Sequence, residues 1–356
     1  MSSSNELNNR KLWEKWKSKE NNFLKNSKIS SPLIYGTPAK AVPDVSIMII
    51  TYKRADGLRE ALESAIKQDY SLPYEIAVVD DSGFDSDTDE LMKEYCSKYP
   101  NIMYYRNEEN LGQYANWNRA CELCRTQWYC LLHDDDMMKS QYLTMCMAAK
   151  SGLPSDVGLI GSYMETVDKR SDAASKTLID KLVDLFIRLR KNKPIHLTTR
   201  DNIRHIFVLS CCLFINRDKV IDVGGLDDAY FPSSDFVLAS KMNIYHKIVF
   251  LPTVLSMRGI GENESLKKSV CNDSIAAAYN LTTELAKEIW KNTKVQKRKA
   301  SIAAVIAEIG VKGYNDVDYS QLKMSLGMSK TYCSNRVVSL INIYSKLNWG
   351  LLLLRR

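Results

Sequence analysis

The feature that most constrains this chain is a regular alternation of strand-like and helix-like patterning over residues 45–132. Val45 to Ile50 is a nearly unbroken apolar run, as expected of a strand covered on both faces. A helix is expected next, with Asp56 as candidate N-cap and Leu58, Leu62, Ala65 and Ile66 on one face. Glu75–Val79 reads as the second strand, Asp87–Tyr99 as a helix with Leu91, Met92, Tyr95 and Cys96 inward, and Ile102–Tyr105 as the third strand. Gln113–Arg125 reads as a helix carrying Trp117, Ala120, Cys121 and Cys124, and Trp128–Leu132 as the fourth strand. Such alternation with short connections predicts an α/β fold, a doubly wound, mostly parallel sheet with helices on both faces. Ligands of such sheets sit beyond the carboxyl ends of the strands, near the topological switch point. Those ends carry the polar residues here: Thr51, Asp80-Asp81-Ser82, and His133 through Asp136.

The flanks are less regular. Residues 1–44 read as a mixed helical and extended lead-in ending in the turn-prone Thr37-Pro38 and Pro43-Asp44. Past Val157 the pattern predicts an amphipathic helix over Ala174–Lys191 and a strand over Val208–Ile215. A turn at Gly224-Gly225, a helix over Ser233–Asn243 and a strand over Lys247–Leu251 follow, with mainly helical structure from Ser274. The expected division is a lead-in (1–44), a catalytic unit (45–272) and a helical C-terminal region (273–356).

The composition, 45% hydrophobic and 26% charged, is that of a soluble globular protein. The net charge of +7 is concentrated late in the chain. From Tyr319 onward there are Lys323, Lys330, Arg336, Lys346, Arg355 and Arg356 and no acid. Nine cysteines, mostly in apolar segments, read as reduced core thiols of a cytoplasmic protein. Cys121 and Cys124 lack the second ligand pair that a structural zinc site needs. The first residues are polar and Lys-rich, without a secretory apolar core, and no run approaches the ~18 apolar residues of a spanning helix. Late in the chain Val337, Leu340, Ile341, Tyr344 and Leu347 fall at helical spacing. That helix suits peripheral contact with the inner face of an anionic membrane, or packing on the domain or on a second copy as a homodimer.

The carboxylates define the chemistry. Asp134, Asp135 and Asp136 directly follow an apolar strand, and three acids there repel one another unless a cation or strong donors are present. An all-oxygen ligand set favours Mg²⁺ or Mn²⁺ over zinc. Asp80 or Asp81 can accept from a nucleobase imide or from ribose hydroxyls. No G-x-G-x-x-G follows the first strand, where Thr51-Tyr52-Lys53-Arg54 stands, and no P-loop is present, which argues against nicotinamide and P-loop enzymes. A nucleotidyltransferase would carry a glycine- and lysine-rich loop at that point, also missing.

Taken in order, these segments resemble a family-2 glycosyltransferase of the GT-A fold over about 220 residues. Val45 through Tyr52 is similar to the family's opening strand, with Lys53 where Asn is usual. Val78-Val79-Asp80-Asp81-Ser82 resembles its donor-binding turn, and Asn110-Leu111-Gly112 through Asn118-Arg119 the segment before the metal strand. Leu132-His133-Asp134-Asp135-Asp136 resembles the D-x-D stretch, with His133 in place of the first Asp and Asp135 on the second. Gly224-Gly225-Leu226-Asp227 resembles the family's next turn; Asp235 falls on the Asp of the "ED" motif, with Ser234 replacing its Glu. Arg258 and Asn263–Ser265 resemble a late loop in which an Arg faces the diphosphate.

The resemblance implies a metal-dependent, inverting transfer of a sugar from a nucleotide-sugar, a UDP-sugar first among them, to a hydroxyl of a glycan or lipid-linked acceptor. It implies Asp235 as general base, Asp135 as metal ligand for Mn²⁺ or Mg²⁺, and no nucleic-acid partner. Donor contacts fall on Thr51, Tyr52, Arg54, Asp80, Asp81, Asn110, Gly112, Asn118, His133, Asp134, Asp136 and Arg258. The alternative is a degenerate relative that binds a nucleotide-sugar or a protein partner without catalysis, since His133 and Ser234 depart from the pattern.

Overall fold

The computed structural model describes residues 16, 19–168, 193–204, 212–260, 267–312 and 317–353. The expected helix at Ala174–Lys191, the first part of the strand expected from Val208, and Asn263–Ser265 lie outside them.

Ten strands form one sheet among the described residues. They are β1 (Leu33–Tyr35), β2 (Val45–Thr51), β3 (Tyr74–Asp80), β4 (Ile102–Arg106), β5 (Trp128–His133), β6 (Asp136–Met138), β7 (Val157–Asp168), β8 (Ile195–Leu197), β9 (Cys212–Asn216) and β10 (Lys247–Ile260). Their order is β1-β4-β3-β2-β5-β9-β7-β10-β6, with β8 also on β10. From β2 the chain winds outward through β3 and β4, then returns to lay β5 on the other side of β2, all in parallel. The switch point therefore lies between Thr51 and His133, at the ends of β2 and β5.

The sheet core is apolar on both faces because its strands are covered on both. Met48 and Ile50 of β2 join one buried cluster with Trp117, Ala120 and Cys121. Val45, Ile47 and Ile49 join the opposite cluster with Leu58, Leu62, Leu91 and Met92. The covering helices are α1 (Ala55–Ile66), α2 (Ser86–Lys98) and α3 (Gln113–Leu123), close to their expected bounds, and α4 (Tyr142–Ser151), which the sequence reading did not include. Helix α1 has no side-chain cap: Arg54, not Asp56, takes the N-cap position.

Beyond β5 the sheet departs from the simple parallel pattern. Strand β9 is antiparallel to both β5 and β7. Strand β10 runs nine residues past the expected Leu251, and its far end pairs with β6, so that Arg258 lies opposite Asp136. Short helices α5 (Thr199–Ile203) and α6 (Arg217–Asp222) precede α7 (Ser234–Tyr245), the helix expected from Ser233.

The segment before residue 45 is bound into this core. Trp16 is fully buried with Phe236, Val237, Leu281 and Leu285. Phe23 packs in the sheet cluster, Asn22 donates twice to the Gly224 carbonyl, and Lys25 pairs with the buried Asp227 at 2.8 Å. At Gly224, with φ +84°, an added Cβ would collide with the Glu20 carbonyl, so both the backbone angle and the close approach require glycine.

After β10 come α8 (Lys268–Ile289), α9 (Thr293–Lys312), α10 (Ser320–Ser325) and α11 (Asn335–Leu353). They share a separate cluster around Cys271, Ile275, Ala304, Val305, Tyr319 and Ile341. A buried Lys323–Glu308 pair at 2.6 Å ties α10 to α9. On α11 only Ile341 of the expected apolar set is buried; Leu340, Ile343, Tyr344 and Leu347 form an exposed stripe. No helix among the described residues is long and apolar enough to cross a membrane. Eight cysteines are described and all are free thiols.

Candidate active site

A cavity of about 760 Å³ opens at the switch point. Twelve of the residues singled out from sequence line it: Thr51, Tyr52, Arg54, Asp81, Asn110, Gly112, His133, Asp134, Asp135, Asp136, Asp235 and Arg258. Two do not. The Asp80 carboxylate is fully buried and accepts from the Ser82 amide, the Ser82 hydroxyl (2.5 Å) and the Tyr104 hydroxyl (2.7 Å). Successive strand residues point to opposite faces, so of the adjacent pair only Asp81 reaches the cavity. Asn118 is also withdrawn: its amide bridges both backbone groups of Leu226 at 2.9 Å, fixing the turn that precedes α7.

Asp81 is held in place from three directions. It accepts from Asn107 Nδ2 (2.8 Å), the Leu111 amide (2.8 Å) and the Gly112 amide (2.9 Å). Asn107 in turn donates to Asn116, whose own amide reaches the Val79 carbonyl. Burial pushes the Asp81 carboxyl above its ordinary range, against these donors.

Asp134 locks β2 to β5. Its Oδ2 accepts from Thr51 Oγ1 (2.8 Å) and the Tyr52 amide (3.2 Å), and its Oδ1 lies 3.6 Å from Arg54. Burial and then the Asp135 charge raise its pKa to about 6. Gly57 makes this junction possible, because a Cβ there would sit 2.5 Å from the Asp134 carbonyl. Arg54 Nη1 also pairs with Asp135 at 2.9 Å.

His133, Asp135 and Asp136 each place a ligand atom within 4.8 Å of the others. Asp136 Oδ1 accepts from the Gly259 amide at 3.1 Å. Trp117 meets the His133 ring in an edge arrangement at 4.9 Å. Burial, outweighing the Asp135 charge, holds His133 below its ordinary pKa and keeps the ring neutral near pH 7. A neutral imidazole and two carboxylates fit a divalent cation, and the buried His133 Nε2 has no hydrogen-bond partner among the described residues.

Asp235, also lining the cavity, stands in the first turn of α7, just after Phe231-Pro232. It accepts from the Phe236 amide at 2.7 Å. Burial raises its pKa to about 6, with Arg258 opposing. Ser234 Oγ accepts from the Asp227 amide at 2.8 Å, so the serine holds the helix start. Sequence reasoning did not single out the aromatic wall of Tyr114, Trp117 and Phe231 or the partner Asn116. Trp117 reads in sequence as an ordinary inward helix residue, and nothing local signals that Phe231 faces a site.

Comparison with known proteins fits this arrangement. The sequence model described as Glycosyl transferase family 2 matches residues 46–223, half of the chain. An uncharacterized glycosyltransferase, MJ1057 of Methanocaldococcus jannaschii, is 31% identical over 131 residues, 36% of this chain and 44% of that relative. The chain thus spans less than half of that relative's length. Among solved structures, S. aureus TarS 1-349 in complex with UDP superposes with a TM-score of 0.52 at 17% identity, covering 79% of this chain and 75% of that TarS segment. The mannosyltransferase PcManGT of Pyrobaculum calidifontis, in complex with GDP-Man and Mn²⁺, gives 0.50 at 14% identity, covering 98% and 95%. Both show the same fold.

Proposed function

We propose a reaction from one premise: the chain belongs to glycosyl transferase family 2. It is a glycosyltransferase, and the reading is transfer of a hexosyl group from a nucleotide-sugar to a hydroxyl of a glycan or lipid-linked acceptor, with inversion. The observation that carries it is one cavity lined both by the His133–Asp135–Asp136 cluster and by a proton-avid carboxylate, Asp235.

Asp235 takes the proton of the acceptor hydroxyl as that oxygen attacks the anomeric carbon, and the nucleoside diphosphate leaves from the opposite face. One displacement with one base inverts the anomeric centre. Thr51, Tyr52, Asp81, Asn110 and Gly112 would line the nucleoside side, and Arg54 and Arg258 would face the diphosphate. Asp80 and Asn118 act beneath this surface, shaping the strand end and the Leu226 turn. Asp135 as leading ligand, with His133 and Asp136 beside it, would hold a divalent cation, Mn²⁺ or Mg²⁺, which would supply positive charge against the leaving diphosphate. UDP is the first donor nucleotide to test, supported by TarS binding UDP; GDP is second, supported by PcManGT.

The catalytic unit is assigned to 45–272 and the helical region to 273–356. The exposed stripe of α11, in a stretch whose only charges are basic, supports a cytoplasmic enzyme resting on the inner face of an anionic membrane near a lipid-linked acceptor. Flotation with anionic liposomes tests this, and a concentration-dependent dimer with no flotation would transfer the stripe to a second copy.

The central experiment is a hydrolysis and transfer screen over UDP-, GDP- and dTDP-sugars with Mg²⁺ or Mn²⁺. Activity with one donor, lost in folded Asp135→Ala, is the expected outcome. Absence of both turnover and binding for every donor overturns the reading.

A further inference from the structure

The ligand cluster at the end of β5 contains an imidazole where the family pattern places a carboxylate. We propose that the cation site of this chain is a mixed nitrogen and oxygen site, with His133 ligating directly beside Asp135 and Asp136, and that it selects Mn²⁺ over Mg²⁺. This rests on the cation-dependent reading above and specifies its donor atoms.

Three observations carry it. First, the ligand atoms of His133, Asp135 and Asp136 lie within 4.8 Å of one another at the cavity wall. Second, the His133 ring packs against Trp117 and carries a ring nitrogen that no described residue satisfies. Trp117 abuts it at 4.9 Å, its Nδ1 is 3.9 Å from Asp136 Oδ2, beyond hydrogen-bond reach, and its Nε2 is buried with no partner among the described residues. A buried ring nitrogen in that state is costly, and ligation offsets the cost. Third, Asp134 is committed elsewhere, its oxygens facing Thr51, Tyr52 and Arg54 at the β2 junction. The third donor of the cluster is therefore the imidazole.

The donor set decides the ion. Mg²⁺ is a hard cation that keeps oxygen ligands and water, whereas a nitrogen donor adds more to the binding of a first-row transition ion. The pair of Arg54 with Asp135 at 2.9 Å gives the site an internal competitor. An arriving cation displaces Arg54 from Asp135, toward the cavity it already lines.

The test uses the full chain with Mn²⁺ alone and with Mn²⁺ plus UDP, read by electron paramagnetic resonance and electron spin-echo envelope modulation. Directly bound imidazole gives nitrogen modulation, expected in the wild type and absent in His133→Asp, which should still bind Mn²⁺. Competition should show the Mn²⁺:Mg²⁺ affinity ratio of His133→Asp narrowed by roughly tenfold. Arg54→Met should bind Mn²⁺ several-fold more tightly than wild type. Stoichiometric Mn²⁺ without nitrogen modulation, or an unchanged ion ratio in His133→Asp, overturns the proposal while leaving a cation-dependent enzyme. Failure of both proteins to bind Mn²⁺ in either condition overturns the proposal and the cation-dependent reading together.

Discussion

Asp81 and Asp235 line the same cavity, and burial raises the pKa of both, yet they are held in different ways. Asp81 accepts from one side-chain amide and two backbone amides, and those donors belong to the loop it shapes. Among the described residues Asp235 accepts within its own helix turn, from the Phe236 amide. Asp134 belongs with Asp81, since it joins the ends of two central strands. A carboxylate surrounded by donors serves as a structural joint. Asp235 accepts within its own helix turn, so its burial-raised proton affinity is left to serve the proposed reaction as a general base. In the proposed reading, the Asp81 side of the cavity is a rigid frame and Asp235 is the reactive group.

The comparison fails first, if it fails, on activity. Asp235→Asn should lower transfer by about 10²–10⁴-fold while Mn²⁺ and nucleotide affinities stay near wild type, measured by initial rates and calorimetry. Asp81→Ala should do the reverse in kind. It strands three buried donors and should cost about 3 kcal/mol in denaturant unfolding, with nucleotide binding lost alongside. A variant that stayed as stable as wild type would remove Asp81 from the frame.

The pH dependence sharpens the contrast. Because Asp235 has its pKa raised to about 6 from 3.8, the folded protein holds this proton more tightly than the unfolded chain. Its stability contribution is complete below about pH 4 and is lost as pH rises through about 6. Asp235→Asn should therefore be more stable than wild type by about 1–2 kcal/mol at pH 8, discounted for partial exposure, with the gap closing by pH 4. Unfolding at the two pH values checks it. Transfer should fall in the wild type as pH drops below about 6, since the base is then protonated. The smallest effect concerns Lys53, which adopts φ +53° and donates its amide to Ser82 Oγ. Asn tolerates that conformation better, so Lys53→Asn should gain about 0.5–1 kcal/mol in the same assay.

The central sheet was legible because local pattern and tertiary setting agree there. From β2 to β5 each strand is an apolar run and each helix shows one apolar face, so the ends carrying Thr51, Asp81 and His133 could be placed. The carboxylate run was legible as a place but not as a set of roles. Which of three adjacent acids joins strands and which faces a cation depends on Thr51 and Arg54, about eighty residues earlier. Strand direction was not legible at β9, because an apolar run reads the same whether its neighbour is parallel or antiparallel. Nor was β6, whose three residues are too few to show a period and are paired only by the far end of β10. The assignment of Asp80 and Asn118 to the donor surface missed the geometry of a pleat and a helix, which turn neighbouring residues away from each other.

The early segment carries a consequence for how the molecule is made. Asn22 and Lys25 find their partners Gly224 and Asp227 across 202 residues of sequence. During synthesis the strands from β2 to β5 are complete long before those partners exist, so this region has the means to pair while the segment waits. Closing so long a loop comes late and slowly, and it ties down the turn from which the helix bearing Asp235 departs. The order of assembly therefore runs sheet first and Asp235 last, and a nascent chain would acquire the Asp81 end of its cavity well before the turn that carries Asp235 is tied down.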